Sequence, residues 1–179
     1  MPQYNTPTGS YAYPDSKSTF PTAPRVSFGR AVAIGLSAGL FGAILMAGSN
    51  KVEQFITNRP NSYVPARTLA NLLGVTPSFY AKHTDLLNHI HHNGMGMLAG
   101  TVRAAMSYYG IIGPFASFVH TGVRLFMDQI VENSAGVSAP PWTWPISEQV
   151  IDISHKLFYS MVTGYLCDYY IRGVNWFNV

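Results

Sequence analysis

The chain has 179 residues, of which 47% are hydrophobic and 11% are charged, and its formal net charge is +3. Soluble domains have about 25% charged residues, so this composition excludes a charge-rich disordered chain, a coiled coil and a nucleic-acid binder with a basic face. The length fits one domain. The shortage of charge favours a membrane protein or an unusually apolar helical bundle.

The N-terminal segment, residues 1–26, is rich in Pro, Ser, Thr and Tyr and contains no apolar run. Such a segment buries too little apolar surface to offset the entropy lost on ordering, so we expect a disordered tail. It also lacks the apolar core of a secretory signal. Residues 27–179 are predicted to form a single four-helix transmembrane domain.

The first apolar segment runs over residues 31–50, which are all uncharged and lie between Arg30 and Lys51. At ~1.5 Å per residue such a helix spans the ~30 Å hydrocarbon core of a bilayer. Gly35 and Gly39 form a GxxxG motif, which lets helices approach closely in lipid. We therefore expect a membrane span with a homo-oligomer contact through these glycines. The alternative is the buried central helix of a soluble protein.

The following residues, 51–88, hold much of the charge and contain one short helix signal. Pro65 begins the predicted helix and Gly74 ends it, as the preferences of these residue types favour. An apolar edge on this helix suits a position on the membrane surface. The edge consists of Leu69, Leu72 and Leu73.

Three further apolar stretches are predicted as spans, and loop signals separate them. They cover residues 93–109, 115–131 and 146–171. Ser147 is the expected N-cap of the last span, and Gly173 its C-terminal end. Aromatic residues lie near the span ends, as in an interfacial belt: Tyr108, Tyr109, Trp142, Trp144, Tyr169, Tyr170 and Trp176. The predicted fold class is all-α, with four transmembrane helices and a surface helix in the first long loop.

Ionisable residues recur on one face of each later span. The helix of the second span carries His89 and His92 just before the span and Arg103 within it. The helix of the third span carries Arg124 and Asp128, with Glu132 just after the span. The helix of the fourth span carries Glu148, Asp152, His155, Lys156 and Tyr159. Up-down connectivity places these faces near one leaflet, around a pocket. Arg103 would lie ~16 Å deeper than His92, at the pocket floor. We expect His92, Trp142, Trp144 and Tyr159 to bind the substrate.

Two interpretations of these charges stay open. A charge at the bilayer centre costs about 2.5–3.5 kcal/mol on insertion scales, so such residues are expected to face inward, where they form functional sites. Alternatively, Arg124 with Asp128, and Asp152 with Lys156, are ion pairs that hold the bundle together.

The sequence predicts no metal or redox cofactor. His89, His91 and His92 cannot all face one ion on a regular helix. Asp152 and His155 match half of a carboxylate di-iron site, but a second acid-x-x-His is missing. The single cysteine, Cys167, excludes an internal disulfide and a zinc site built from cysteines.

Three phrases carry a family resemblance: NRPNSYVP at 58–65, GPFAS at 113–117, and APPWTWP at 139–145 leading into Ser147-Glu148 and His155. Over residues 27–172 they resemble a family of small fungal multi-pass membrane proteins. The last third is also similar, more distantly, to bacterial YagU-like inner-membrane proteins. The resemblance implies a multi-pass membrane protein and brings no settled reaction. Fungal natural-product pathways use small polytopic proteins as cyclases, isomerases and epoxide hydrolases, an analogy of architecture.

The first functional hypothesis is a membrane-embedded enzyme that applies acid–base chemistry to a lipophilic substrate. It would open an epoxide, or isomerise or cyclise a polyketide or terpenoid. Asp152 or Asp128 would act as the acid. A second carboxylate or His155 would act as the base, and Arg103 or Arg124 would stabilise developing negative charge. Glu132 and Glu148 complete the predicted catalytic set. The alternatives are a transporter of protons or a small solute, and a non-catalytic membrane scaffold. We expect a multi-pass membrane location, with the endoplasmic reticulum one option for the organelle.

Overall fold

The structure, a computed structural model, describes residues 23–178, and these contain five α-helices and no β-strand. The all-α prediction is therefore confirmed for the described residues. Two short 3-10 turns, Pro141–Thr143 and Trp176–Asn178, accompany the helices. The α-helices are α1 Phe28–Thr57, α2 Val64–Leu73, α3 Pro77–Tyr108, α4 Gly113–Ser134 and α5 Ile146–Arg172.

Most of the predicted N-terminal tail, residues 1–22, lies outside the described residues. The last two residues of this predicted tail, Arg25 and Val26, contact the helices. The backbone N–H of Arg25 donates to the carbonyl oxygen of Ile171 at 2.7 Å. Val26 packs against an apolar cluster formed by α1, α3 and α5.

The helix ends agree with the sequence signals in part. Gly74 and Gly173 end α2 and α5 in the left-handed conformation, at φ 63° and 73°. The second long helix begins at Pro77 rather than near residue 93, because the Thr76 hydroxyl caps it by accepting from the Phe79 N–H at 3.3 Å. The Ser147 cap prediction is wrong. Pro145 occupies the N-cap of α5, and its carbonyl oxygen accepts the first helical hydrogen bond.

The four long helices alternate in direction, which gives the molecule two distinct ends. At one end, here called the Arg172 end, Arg172 at the close of α5 donates to the carbonyl oxygen of Tyr108 at the close of α3. At the other, here called the α2 end, Arg59 after α1 lies 3.5 Å from Glu148 at the start of α5. Up-down connectivity was predicted, and these contacts agree with it.

Glycines bring α1 and α3 into close backbone contact. A Cβ atom on Gly35 would lie 2.6 Å from the carbonyl oxygen of Gly100, and one on Gly39 would overlap the carbonyl oxygen of Gly96. Only residues without a side chain fit at this distance. The GxxxG motif is therefore used within the chain, and α3 covers the face that was expected to bind a second copy.

Charged side chains lie inside this bundle, whereas large apolar side chains lie outside. Arg103 and Asp168 are fully buried, while Phe115 on α4 is 77% exposed. Charged residues are almost never fully buried in proteins unless they are paired, and Arg103 and Asp168 form an ion pair at 2.9 Å. By length and composition, α1 is the one helix of the described residues that is apolar enough to cross a membrane.

Candidate functional site

A cavity of about 570 Å³ opens at the α2 end of the bundle. The ends of α1, α3, α4 and α5 form its wall, together with the start of α2 and the connection between α4 and α5. The structure brings eight of the predicted site residues to this wall. They are His92, Arg124, Asp128, Glu132, Trp144, Glu148, Asp152 and His155.

Charged side chains of α4 and α5 form a continuous network in the cavity wall. Arg124 Nη2 lies 3.3 Å from Asp128 Oδ1. Lys156 Nζ donates to Asp152 Oδ2 at 2.7 Å and lies 3.2 Å from Asp128 Oδ2. Both ion pairs of the structural interpretation are thus present, and Lys156 joins them across the two helices. Asp128 and Asp152 are both engaged by Lys156.

Arg124 is the member of this network with donors left over. Its side chain is 3% exposed, and within the described part of the chain neither Nε nor Nη1 has an acceptor. Its guanidinium lies 5.4 Å from the ring centroid of Tyr159, a favourable cation–π distance. Tyr159 is fully buried behind Arg124 and donates to the carbonyl oxygen of Gly96 at 2.6 Å. It is therefore a support for Arg124 and does not line the cavity.

Glu132 lies in the last turn of α4, just beyond the span predicted for residues 115–131, and faces the cavity. Burial, reinforced by the negative charge of Asp128, raises the pKa of the Glu132 carboxyl to about 7. A carboxyl group with this pKa is present in both protonation states at neutral pH. It is suited to transfer protons.

His155 connects the cavity to α1. Its Nδ1 lies 2.8 Å from Ser49 Oγ, and its Nε2 lies 3.9 Å from Glu53 Oε2. Arg59 donates to Glu53 at 2.7 Å, and this hydrogen bond lowers the pKa of the Glu53 carboxyl. Glu53 and Arg59 are functional candidates that the sequence-based predictions do not include. The spacing of Ser49 and Glu53, one helical turn apart, is the signal that marks this face of α1.

Arg103 lies near the Arg172 end, away from the cavity, so its predicted position at the cavity floor is wrong. The reason is Asp168 on α5, the ion-pair partner of Arg103, which no sequence pattern indicated. Arg103 Nη2 donates to Asp168 Oδ2 at 2.9 Å, and both side chains are fully buried. Three further donors complete the shell of this carboxylate: Ser107 Oγ at 2.6 Å, the Gly113 N–H at 2.7 Å and Trp176 Nε1 at 3.0 Å. We call this arrangement the Asp168 clamp.

The remaining aromatic and histidine predictions have mixed outcomes. Trp142 is 80% exposed and lies off the cavity wall. Trp144 lines the cavity, and its Nε1 donates to the carbonyl oxygen of Ala139 at 2.9 Å. His92 also lines the cavity, with Nε2 donating to the carbonyl oxygen of Ala43. Among the described residues no group of three or more His, Cys, Asp or Glu side chains could hold a metal ion.

No protein-family model, curated protein or solved structure matches the chain. The resemblance to the fungal family therefore stays a prediction.

Proposed function

We propose that the chain is a multi-pass membrane protein in which α1, α3, α4 and α5 cross the bilayer. Helices α1, α4 and α5 have 30, 22 and 27 residues, and α3 has 32 with a kink at His83. Each is long enough for a span of about 20 residues, and α1 is the one among the described helices that is also apolar enough by composition. Phe115, Phe118 and Phe126 are exposed on α4, where a bilayer would cover them. Five charges that are buried in α3, α4 and α5 are paired, which is how membrane helices accommodate them. They are Arg103, Arg124, Asp128, Lys156 and Asp168.

We propose further that the cavity catalyses acid–base chemistry on a lipophilic substrate. The observation that carries this proposal is the presence of Glu132 and Arg124 in one cavity wall. Glu132 has a pKa near neutrality, so it can take a proton from the substrate and return it. Arg124 lines the cavity and holds two buried N–H donors without a partner in the described residues, and its positive charge can stabilise negative charge that develops on a substrate oxygen. Because Asp128 and Asp152 are engaged by Lys156, proton transfer is assigned to Glu132.

The network around Arg124 keeps this machinery in place. Asp128 and the ring of Tyr159 fix the position of the guanidinium, and Lys156 fixes Asp128. His155 is a second candidate base, since it reaches the cavity from a position held by Ser49. An acid, a base and a cation are sufficient for isomerisation and for epoxide opening, because neither reaction transfers electrons to a cofactor.

The alternative functions have less support. A transport path across the bundle would have to pass the Asp168 clamp, in which the carboxylate and its guanidinium partner are fully buried and hydrogen-bonded. A scaffold that assembles through Gly35 and Gly39 would need a face that α3 covers.

Deletion of the gene in its native host, followed by mass-spectrometric profiling of small molecules, tests the catalytic proposal. We expect one metabolite to disappear and a precursor to accumulate. Wild type and Lys82→Gln should restore the metabolite, whereas Glu132→Gln should not. Lys82 is a suitable control because it is exposed and lies off the cavity wall. An unchanged profile after deletion would contradict the proposal.

A further inference from the structure

The donors of Arg124 show what the cavity ligand must provide. Lys156, the other buried cation of the wall, has two carboxylate partners. Arg124 has one such partner and two nitrogens, Nε and Nη1, without an acceptor among the described residues. A buried donor that lacks an acceptor is unfavourable. Both nitrogens are buried in this structure, so a small movement of the guanidinium toward the cavity, which Arg124 lines, would let a ligand with acceptor oxygens satisfy them.

The charges of the wall indicate that this ligand is neutral. Four cations face the cavity, and four carboxylates oppose them. The cations are Lys51, Arg59, Arg124 and Lys156, and the carboxylates are Asp85, Asp128, Glu148 and Asp152. Glu132 adds a fifth acidic group, whose pKa of about 7 leaves it partly charged. An anionic ligand would add negative charge to a wall that has no cation in excess, and bringing such a charge out of water is costly.

Apolar side chains complete the wall and fit the body of a lipophilic molecule. Met46 and Ala47 of α1, Val64 of α2, Ile151 of α5 and Trp144 all line the cavity. The cavity lies within the size range of small-molecule sites, about 300–1,000 Å³. The ligand is therefore mostly apolar and carries oxygen acceptors at the end that meets Arg124.

We infer that the cavity binds a neutral lipophilic carbonyl compound, a ketone, ester or lactone, whose carbonyl oxygen accepts hydrogen bonds from Arg124. The inference rests on the proposed function, since it names the substrate class of the same cavity. Among neutral oxygen acceptors, a carbonyl is the one that such hydrogen bonds activate toward loss of an α-proton. Glu132 and His155 both line this wall, and of the two Glu132 is assigned as the acceptor of this proton.

The reaction that follows is an isomerisation through an enolate. The Glu132 carboxylate removes a proton from the carbon next to the carbonyl group. The electron pair of the C–H bond forms a carbon–carbon double bond, and the π electrons of the carbonyl move to the oxygen, where Arg124 stabilises the negative charge. In a substrate with a carbon–carbon double bond next to the α-carbon, the protonated Glu132 then returns the proton to the far carbon of that bond. The carbonyl re-forms and the double bond moves into conjugation with it. No other reactant is consumed.

Three probes of equal chain length test the ligand class on the purified protein in detergent micelles: decanone, decanoic acid and decane. Binding is measured by calorimetry. We expect wild type to bind decanone at least about tenfold more tightly than either other probe, a difference of about 1.4 kcal/mol. Arg124→Gln should lose this preference, and Lys82→Gln should keep it. Tighter binding of decanoic acid, or no preference in wild type, would overturn the inference even if Arg124→Gln fails to fold.

Deuterium uptake separates this inference from the proposed function. In D₂O, an enzyme that forms the enolate exchanges the α-protons of decanone, and mass spectrometry detects the added mass. Exchange above the uncatalysed rate, lost in Glu132→Gln, supports both claims. A decanone preference without exchange keeps the ligand class and contradicts the catalytic proposal. Loss of a metabolite on gene deletion without a decanone preference supports catalysis and overturns the carbonyl inference.

Discussion

The substitution Asp168→Asn is expected to destabilise the fold strongly. The Asp168 carboxylate joins α3, the start of α4, α5 and the segment after α5 through its four donors. Asparagine keeps the shape but removes the charge, and its amide group replaces an acceptor with a donor. Arg103 would then be fully buried without a counter-ion. Breaking a buried ion pair by removing one partner costs about 3–5 kcal/mol, and we expect a loss in this range.

Unfolding by denaturant in micelles, followed by tryptophan fluorescence, measures this loss. Glu148→Gln is the matched control, because Glu148 is 45% exposed and its ion pair with Arg59 is at 3.5 Å. Exposed pairs contribute about 0–1 kcal/mol. The double variant Arg103→Met, Asp168→Asn should recover part of the stability, since it leaves no unpaired buried charge and the asparagine oxygen still accepts from part of the remaining donors. An Asp168→Asn variant that unfolds within about 1 kcal/mol of wild type would refute the clamp.

Three further predictions concern the cavity and the helix contact. Because burial raises the pKa of Glu132 to about 7, activity that needs its carboxylate should rise as pH increases through neutrality. A pH–rate profile of Glu132→Gln should lack this rise, and an unchanged profile would argue for another base. Gly39→Leu should destabilise the protein by about 1–3 kcal/mol or more through overpacking against α3, whereas Gly48→Leu, on the same helix but with open space around it, should not. Equal melting temperatures of the two variants would contradict the close contact. Decanone should change the tryptophan fluorescence of Trp142→Phe but not of Trp144→Phe, since Trp144 lines the cavity. A response that survives in Trp144→Phe would place the ligand elsewhere.

Local features of the fold could be predicted from the sequence because their causes are local. Gly74 and Gly173 end helices because the left-handed conformation suits glycine. Arg124 and Asp128 are neighbours because a spacing of four places them on one helix face. Convergence of the polar faces at one end followed from up-down connectivity.

Features that depend on distant pairing could not be predicted in this way. Arg103 and Asp168 are 65 residues apart, and no periodicity links them. The helix that packs against the GxxxG motif could not be predicted either, since the small residues on α1 can pack against a second copy of the chain as well as against α3. Gly96 and Gly100 are the residues that decide between them. The early start of α3 depends on one capping hydroxyl, that of Thr76, within a polar stretch without a strong helical pattern.

Labelling from each side of the membrane tests the four-span bundle most directly, because such a bundle fixes the side on which each helix end lies. In a Cys167→Ala background, single cysteines at Ser78, Ser134 and Ile111 report on both ends, since these positions are exposed. In sealed vesicles an impermeant maleimide should label Ser78→Cys and Ser134→Cys, at the α2 end, from one side only. Ile111→Cys, at the Arg172 end, should react only from the opposite side. Labelling of all three from the same side, or release of the protein by an alkaline carbonate wash, would contradict the four-span bundle.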